Sequence, residues 1–326
     1  MPLNCMLQKF SAARLMPFAL SLFLTVLLAG CASDRLLTSA REGEYRRIMD
    51  LQKQKAAALA DAEQKTPDLQ PDEYEKLGDN YLRQGNAVMA FTQYGKSLQT
   101  DPSRTGVRNK IGRLYLKKGL LDEGRKEFEE ILKADPDNAA AYEGMGRYYF
   151  AKGEWSKASE KLDKSIRLNP KSWQAHELLG LIYSRQKRQG EAIGKYLEAI
   201  ELNPRSSALF NNLGISYYLQ GEYEKSLEAF IRATKLDRTD HKMIYNNLGL
   251  ALCKLGRYRE AFDVFRKAGD EAAAYNNLGY AMMAEKKYQD ALENFEKAFE
   301  KKSTYYNKAR DNMERAKVAL QRQSGE

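Results

Sequence analysis

The sequence predicts an all-α fold, a superhelical solenoid of about seven helix-turn-helix repeats closed by a C-terminal capping helix. Pro102, Pro136, Pro170 and Pro204 stand 34 residues apart, in the words TDPS, ADPD, LNPK and LNPR. In each, Asp or Asn before Pro ends one helix and opens the turn into the next. On the same ruler lie Gly78, Gly112, Gly146, Gly180 and Gly214, each preceded by Leu, Ile or Met. Tyr81, Tyr115, Tyr149, Tyr183 and Tyr217 follow three residues after each glycine. A fixed period of this size marks an array of stacked helix pairs.

Counting Pro71 as position 1 puts glycine at position 8 and tyrosine at 11. Position 20 is then small (Ala90, Gly124, Ala158, Ala192, Ser226) and position 24 large (Tyr94, Phe128, Leu162, Tyr196, Phe230). Two helices of about a dozen residues cannot bury their apolar stripes alone, so each pair must stack on the next. Small residues at 8 and 20 let the two helices approach, and the rings at 11 and 24 are expected to fill the space between them. This pattern resembles the tetratricopeptide repeat family, and the resemblance implies that the first helix of each repeat lines a concave surface.

Two further repeats leave the ruler. The sixth starts at Lys242 with Leu248, Gly249, Ala261 and Phe265, but has Leu252 in place of the tyrosine. The seventh starts at Ala272, after the shortened joint KAGDEAAAY, and carries Tyr275, Leu278, Gly279, Ala291 and Phe295. The array thus covers 71–302. Residues 303–326 read as a capping helix and tail, with Tyr305, Ala309, Met313 and Ala316 on its inner face.

Residues 1–30 read as a secretion signal. Lys9 and Arg14 precede the apolar run from Met16 to Leu28, which ends in LAGC. A run this short falls below the roughly 20 residues of a spanning helix, and small residues stand where signals are cleaved. An uncleaved anchor helix is the alternative. LAGC resembles the lipobox of bacterial lipoproteins, which implies that Cys31 is lipidated and becomes the first mature residue. Several acyl chains hold a protein firmly to a membrane where one does so marginally. Ala32 in place of Asp resembles the signal for an outer-membrane destination. Residues 31–70 are then the lipidated cysteine and a partly helical tether, strong helix formers over 41–65 ending at Thr66-Pro67. A divergent half-repeat is the rival reading.

Composition narrows the function. With Cys5 in the signal and Cys31 lipidated, Cys253 remains alone, so no internal disulfide closes and stability must come from packing. Two histidines leave little for a metal site or a histidine triad, and neither a Gly-rich phosphate loop nor a G-x-S-x-G elbow is present. The chain reads as a non-enzyme without metal or cofactor. The formal charge of +9, with 30% of residues charged, suits either a solvated mixed surface or a polyanion site. Export argues against nucleic acid.

Positions 2, 5, 9 and 12 fall on one face of the first helix. In repeats two to four this face, with position 13, carries Asn109, Arg113, Lys117, Glu143, Arg147, Phe150, Glu177 and Arg185; in repeats five to seven it turns apolar, with Tyr218, Tyr280 and Met283. The word NNLG recurs three times, placing Asn211, Asn246 and Asn276 at position 5 and Asn212, Asn247 and Asn277 at position 6. A row of amides offers donors and acceptors to the backbone of an extended peptide. The position-5 asparagines are therefore expected to form a peptide track without a fold requirement. Tyr218, Tyr280 and Met283 would supply its pockets, while Arg113, Lys117, Arg147 and Arg185 attract an acidic segment. Position 6 reads equally as a helix-face residue satisfied by local hydrogen bonds. A clamp for a terminal carboxylate is not reproduced, because position 5 of repeats five to seven is never Lys and Ile215 and Leu250 occupy position 9.

A lipobox joined to such repeats resembles the pilus-assembly lipoproteins of the Tad (Flp) and type IV systems, and LALCKLGRYREAFDVFRKA at 250–268 is similar to a repeat of the type IV pilotins. The resemblance implies a membrane-anchored protein-interaction scaffold on the periplasmic face of the outer membrane, with a secretin or pilus component as partner. The alternative is an adaptor for peptidoglycan hydrolases or outer-membrane insertion machinery.

Overall fold

A computed structural model describes residues 69–236, 242–301 and 306–324, with side chains of the last segment described over 310–323. The signal, Cys31, residues 32–68 of the tether and Tyr305 lie outside the described residues, as does the side chain of Ala309.

Seven helix pairs follow one another. They are α1 (Pro71–Arg83) with α2 (Ala87–Thr100), α3 (Thr105–Lys117) with α4 (Leu121–Ala134), and α5 (Ala139–Lys152) with α6 (Trp155–Leu168). Next come α7 (Trp173–Arg185) with α8 (Gln189–Leu202), α9 (Ser207–Gln220) with α10 (Tyr223–Leu236), α11 (Lys242–Lys254) with α12 (Tyr258–Ala268), and α13 (Glu271–Ala284) with α14 (Tyr288–Lys301). A single helix, α15 (Tyr306–Ser324), closes the stack. No strand occurs among the described residues.

Local chemistry sets the boundaries. Asn138, Ser172, Ser206 and Asp270 cap the first helices of repeats three, four, five and seven by accepting from the backbone N–H three residues on, which satisfies one orphan donor each. The turn inside each repeat needs a left-handed residue. Gly85, Gly119, Gly153, Gly221 and Gly256 supply it in five repeats, whereas Lys187 and Lys286 adopt φ of 61° and 60° in the other two. The joint between repeats six and seven is short because α12 has only 11 residues, against 14 in the other second helices.

The core runs along the seam of each pair. A Cβ on Gly214 would stand 2.6 Å from the Phe230 ring and one on Gly249 2.4 Å from Phe265. The large residue of position 24 thus lies directly on the position-8 glycine of its own repeat. Tyr94, Phe128, Leu162, Tyr196, Phe230, Phe265 and Phe295 are all fully buried, each worth about 1.5–3 kcal/mol in apolar burial. The tyrosines of position 11 correct the expectation. Tyr81, Tyr115, Tyr149, Tyr183 and Tyr217 pack against the core but are only half-buried. Met313 and Ala316 of α15 pack on the core of the last repeats, as expected.

First helices of successive repeats touch one another from α3 to α15, while neighbouring second helices make at most marginal contact. The first helices therefore lie on the tighter, concave side.

Candidate functional site

On the concave side a regular contact links position 5 of one repeat to position 6 of the next. Asn247 Nδ2 donates to Asn211 Oδ1 at 2.9 Å, Asn277 Nδ2 to Asn246 Oδ1 at 3.0 Å, and Asn312 Nδ2 to Asn276 Oδ1 at 2.9 Å. Asn211, Asn247, Asn276 and Asn312 are buried. At the other end of the array the same two positions hold an ion pair, in which Lys110 Nζ donates to Glu75 Oε1 at 2.7 Å. Lys110 also donates to both oxygens of Asp79, at 2.7 and 2.8 Å. Burial pushes the Glu75 carboxyl up, but hydrogen bonds from Lys110 and Arg104 outweigh it and hold its pKa below the ordinary value.

The paired asparagines are thus a fold device. Position 5 does carry a fold requirement, contrary to expectation, since its amide oxygen bridges to the next repeat. Position 6 is satisfied at Asn247 and Asn277 by that bridge and not locally. Asn312 escaped the sequence reading because it lies in the capping helix, although it follows Asn276 by 36 residues, as Asn247 follows Asn211.

Between these ends the ladder is interrupted. Position 6 of repeat three is Gly144, where a Cβ would lie 2.4 Å from the Phe128 ring. Asn109 therefore has no partner opposite it, and its Nδ2 is buried without a hydrogen bond. Position 6 of repeat four is Leu178, buried in the core. Glu143 turns instead to Arg147 Nε at 2.8 Å and Ser172 Oγ at 3.2 Å. Asn212 faces Glu177 in the ladder register, but no hydrogen bond joins them among the described residues. Burial raises the Glu177 pKa, with Arg147 opposing and Glu143 adding to the rise. Arg113 reaches solvent at its surface, yet the surrounding walls and then Arg147 push its pKa down. Among the described residues neither Arg113, Lys117 nor Glu177 has an ion-pair partner.

The apolar half is more closed than its sequence suggests. Ile215 and Cys253 are buried, and burial pushes the Cys253 thiol up to about 12. Tyr218 is half-buried edge-on to Tyr223, and Met283 packs against the core. Tyr280 is exposed, its ring edge-on to Phe295 at 5.8 Å. Arg185 lies over the Trp155 ring, 6.0 Å from its centroid. The described residues hold no group of three or more His, Cys, Asp or Glu placed for a metal ion. No described helix is long and apolar enough to cross a membrane.

Residues 32–277 match the family described as the Cilia and flagella-associated protein 70 C-terminal domain, and residues 272–305 match the tetratricopeptide repeat. No curated protein matches the chain. Among solved structures, pilF of Pseudomonas aeruginosa is 20% identical with a TM-score of 0.52, over 65% of this chain and 90% of that one. PilW, described as a widely conserved type IV pilus biogenesis factor, is 16% identical with a TM-score of 0.54, over 60% and 92%. At these identities the likeness is one of fold.

Proposed function

We propose, for a chain that belongs to the family of the Cilia and flagella-associated protein 70 C-terminal domain, a tetratricopeptide repeat array, that it is an anchored protein-interaction scaffold. The observation that carries this reading is a concave row of side chains, Asn109, Arg113, Lys117 and Glu177, left without described partners in the middle of a fold whose end repeats bond position 5 to position 6. Buried or half-buried polar groups without partners are costly, and a bound segment relieves that cost.

The finer reading is an assembly factor for a pilus or secretin-type envelope complex, held at the periplasmic face of the outer membrane through lipidated Cys31. The LAGC word supports the anchor, and a fold shared with a type IV pilus biogenesis factor agrees with the assembly role. Crosslinking in the envelope followed by affinity purification of the full chain tests both. Recovery of a secretin or pilus component supports the reading, while recovery of cell-wall hydrolases favours an adaptor for those enzymes. A Cys31→Ala chain that stays in the membrane fraction would contradict the anchor.

A further inference from the structure

We propose that repeats two to four form a two-ended slot in which Asn109 and Arg113 receive a carboxylate of an extended partner segment and Glu177 receives an ammonium or guanidinium group further along it. This rests on the scaffold reading and names the chemistry of the partner.

The slot follows from the interrupted ladder. At both ends of the array position 6 engages the position-5 group of the preceding repeat, by Lys110 at one end and by Asn247, Asn277 and Asn312 at the other, whereas Asn212 leaves Glu177 unbonded among the described residues. Gly144 and Leu178 remove that partner in the middle. One consequence is the Asn109 Nδ2, buried in a residue only 9% exposed and unbonded. Its neighbour one helical turn on is Arg113, so donor and cation share one face. Lys117, a turn further and exposed, adds positive charge at the same end.

The middle of the slot is already neutral. Arg147 and Glu143 pair at 2.8 Å with side chains 27% and 10% exposed, and Ser172 completes the carboxylate. Glu177 lies beyond them as a half-buried carboxylate with no counter-ion among the described residues. A ligand with two negative ends would leave Glu177 repelled, and one with two positive ends would meet Arg113 and Lys117. Only a segment of mixed sign satisfies both ends. Packed helices lie about 8–10 Å apart, so two repeat steps span about 20 Å. An extended chain covers that distance in about six residues at about 3.3 Å each. The slot therefore selects an acidic and a basic side chain about six residues apart, in place of the purely acidic segment that the arginines alone suggest.

Fluorescence anisotropy with the full chain tests this, using 12-residue Gly/Ser/Ala peptides bearing Asp and Lys six positions apart in either order, Asp at both positions, or Lys at both. The mixed peptide of one order is expected to bind at least about tenfold more tightly than either uniform peptide. Glu177→Lys should move the preference to the two-Asp peptide and Arg113→Glu to the two-Lys peptide, a switch that a merely unfolded variant cannot produce. Equal affinities for all peptides, no measurable binding, or an unchanged order in both variants would overturn the slot. If the slot fails while envelope purification still recovers a protein partner, the scaffold reading stands alone. If neither peptide nor partner is captured, both fall.

Discussion

Asn247 donates its amide Nδ2 to Asn211 Oδ1 across the interface of repeats five and six, at 2.9 Å, and both side chains are at least 95% buried. Removing one partner leaves a buried acceptor without its donor. Asn247→Ala should destabilise the chain by about 1–3 kcal/mol, and the double variant with Asn211→Ala should cost less than the two single changes combined. A urea-denaturation cycle with no coupling would show that the bridge is incidental.

The glycine of position 8 should tolerate no side chain. Gly214→Ala would place its Cβ 2.6 Å from the Phe230 ring, an overpacking expected to cost about 1–3 kcal/mol. Leucine at position 24 leaves no more room, since a Cβ on Gly146 would stand equally close, 2.6 Å, to Leu162, so Gly146→Ala should cost a similar amount. Thermal melts of Gly214→Ala and Gly146→Ala check it; wild-type melting temperatures would mean that the position-24 side chains move aside freely.

Two lysines hold a conformation that suits glycine. At φ near 60°, Lys187 and Lys286 place Cβ against the following carbonyl, a strain of about 1–2 kcal/mol that glycine escapes at some cost in unfolded-chain entropy. Lys187→Gly and Lys286→Gly should each stabilise the chain by about 0.5–1 kcal/mol in calorimetry. Substitution of Gly153 by Lys, the converse change, should destabilise it by a similar amount.

Glu177 gives a pH dependence of defined sign. Its folded pKa is raised, chiefly by burial, so the folded chain favours the protonated acid. Stability is then full below the unfolded value, about 4.3 for Glu, and falls as pH rises through the folded value. Glu177→Gln should raise the melting temperature at pH 7 and leave it unchanged near pH 3.5. An equal effect at both pH values would contradict the assignment.

The helix pairs were legible because their requirements repeat. Gly at 8 and a large residue at 24 are forced into contact in every repeat, so each occurrence of the pair confirms the next. The tyrosines of position 11 recur as strictly yet are half-buried, since a period reveals that a position matters without saying how much of it is covered. The concave site was less legible for a physical reason. NNLG repeats look like a binding track, but the partner of each position-5 amide sits 31 or 36 residues away, on a neighbour whose register only folding defines. The more suggestive position is Asn109, where the ladder lacks a rung. Its signal is a glycine, Gly144, at position 6 of the next repeat, which reads as one glycine among many until Phe128 is seen beneath it.

Site-specific photo-crosslinking of the full chain in the intact envelope decides whether the concave side binds a protein. The photoreactive residue would replace Lys117 on the concave side or the exposed Asp163 of α6 on the convex side. A concave binding scaffold should give a discrete protein adduct from position 117, weak or none from 163, and loss of the first when Glu177→Lys and Arg113→Glu are added. Adducts from 163 alone, or adducts from 117 that survive both charge reversals, would contradict it.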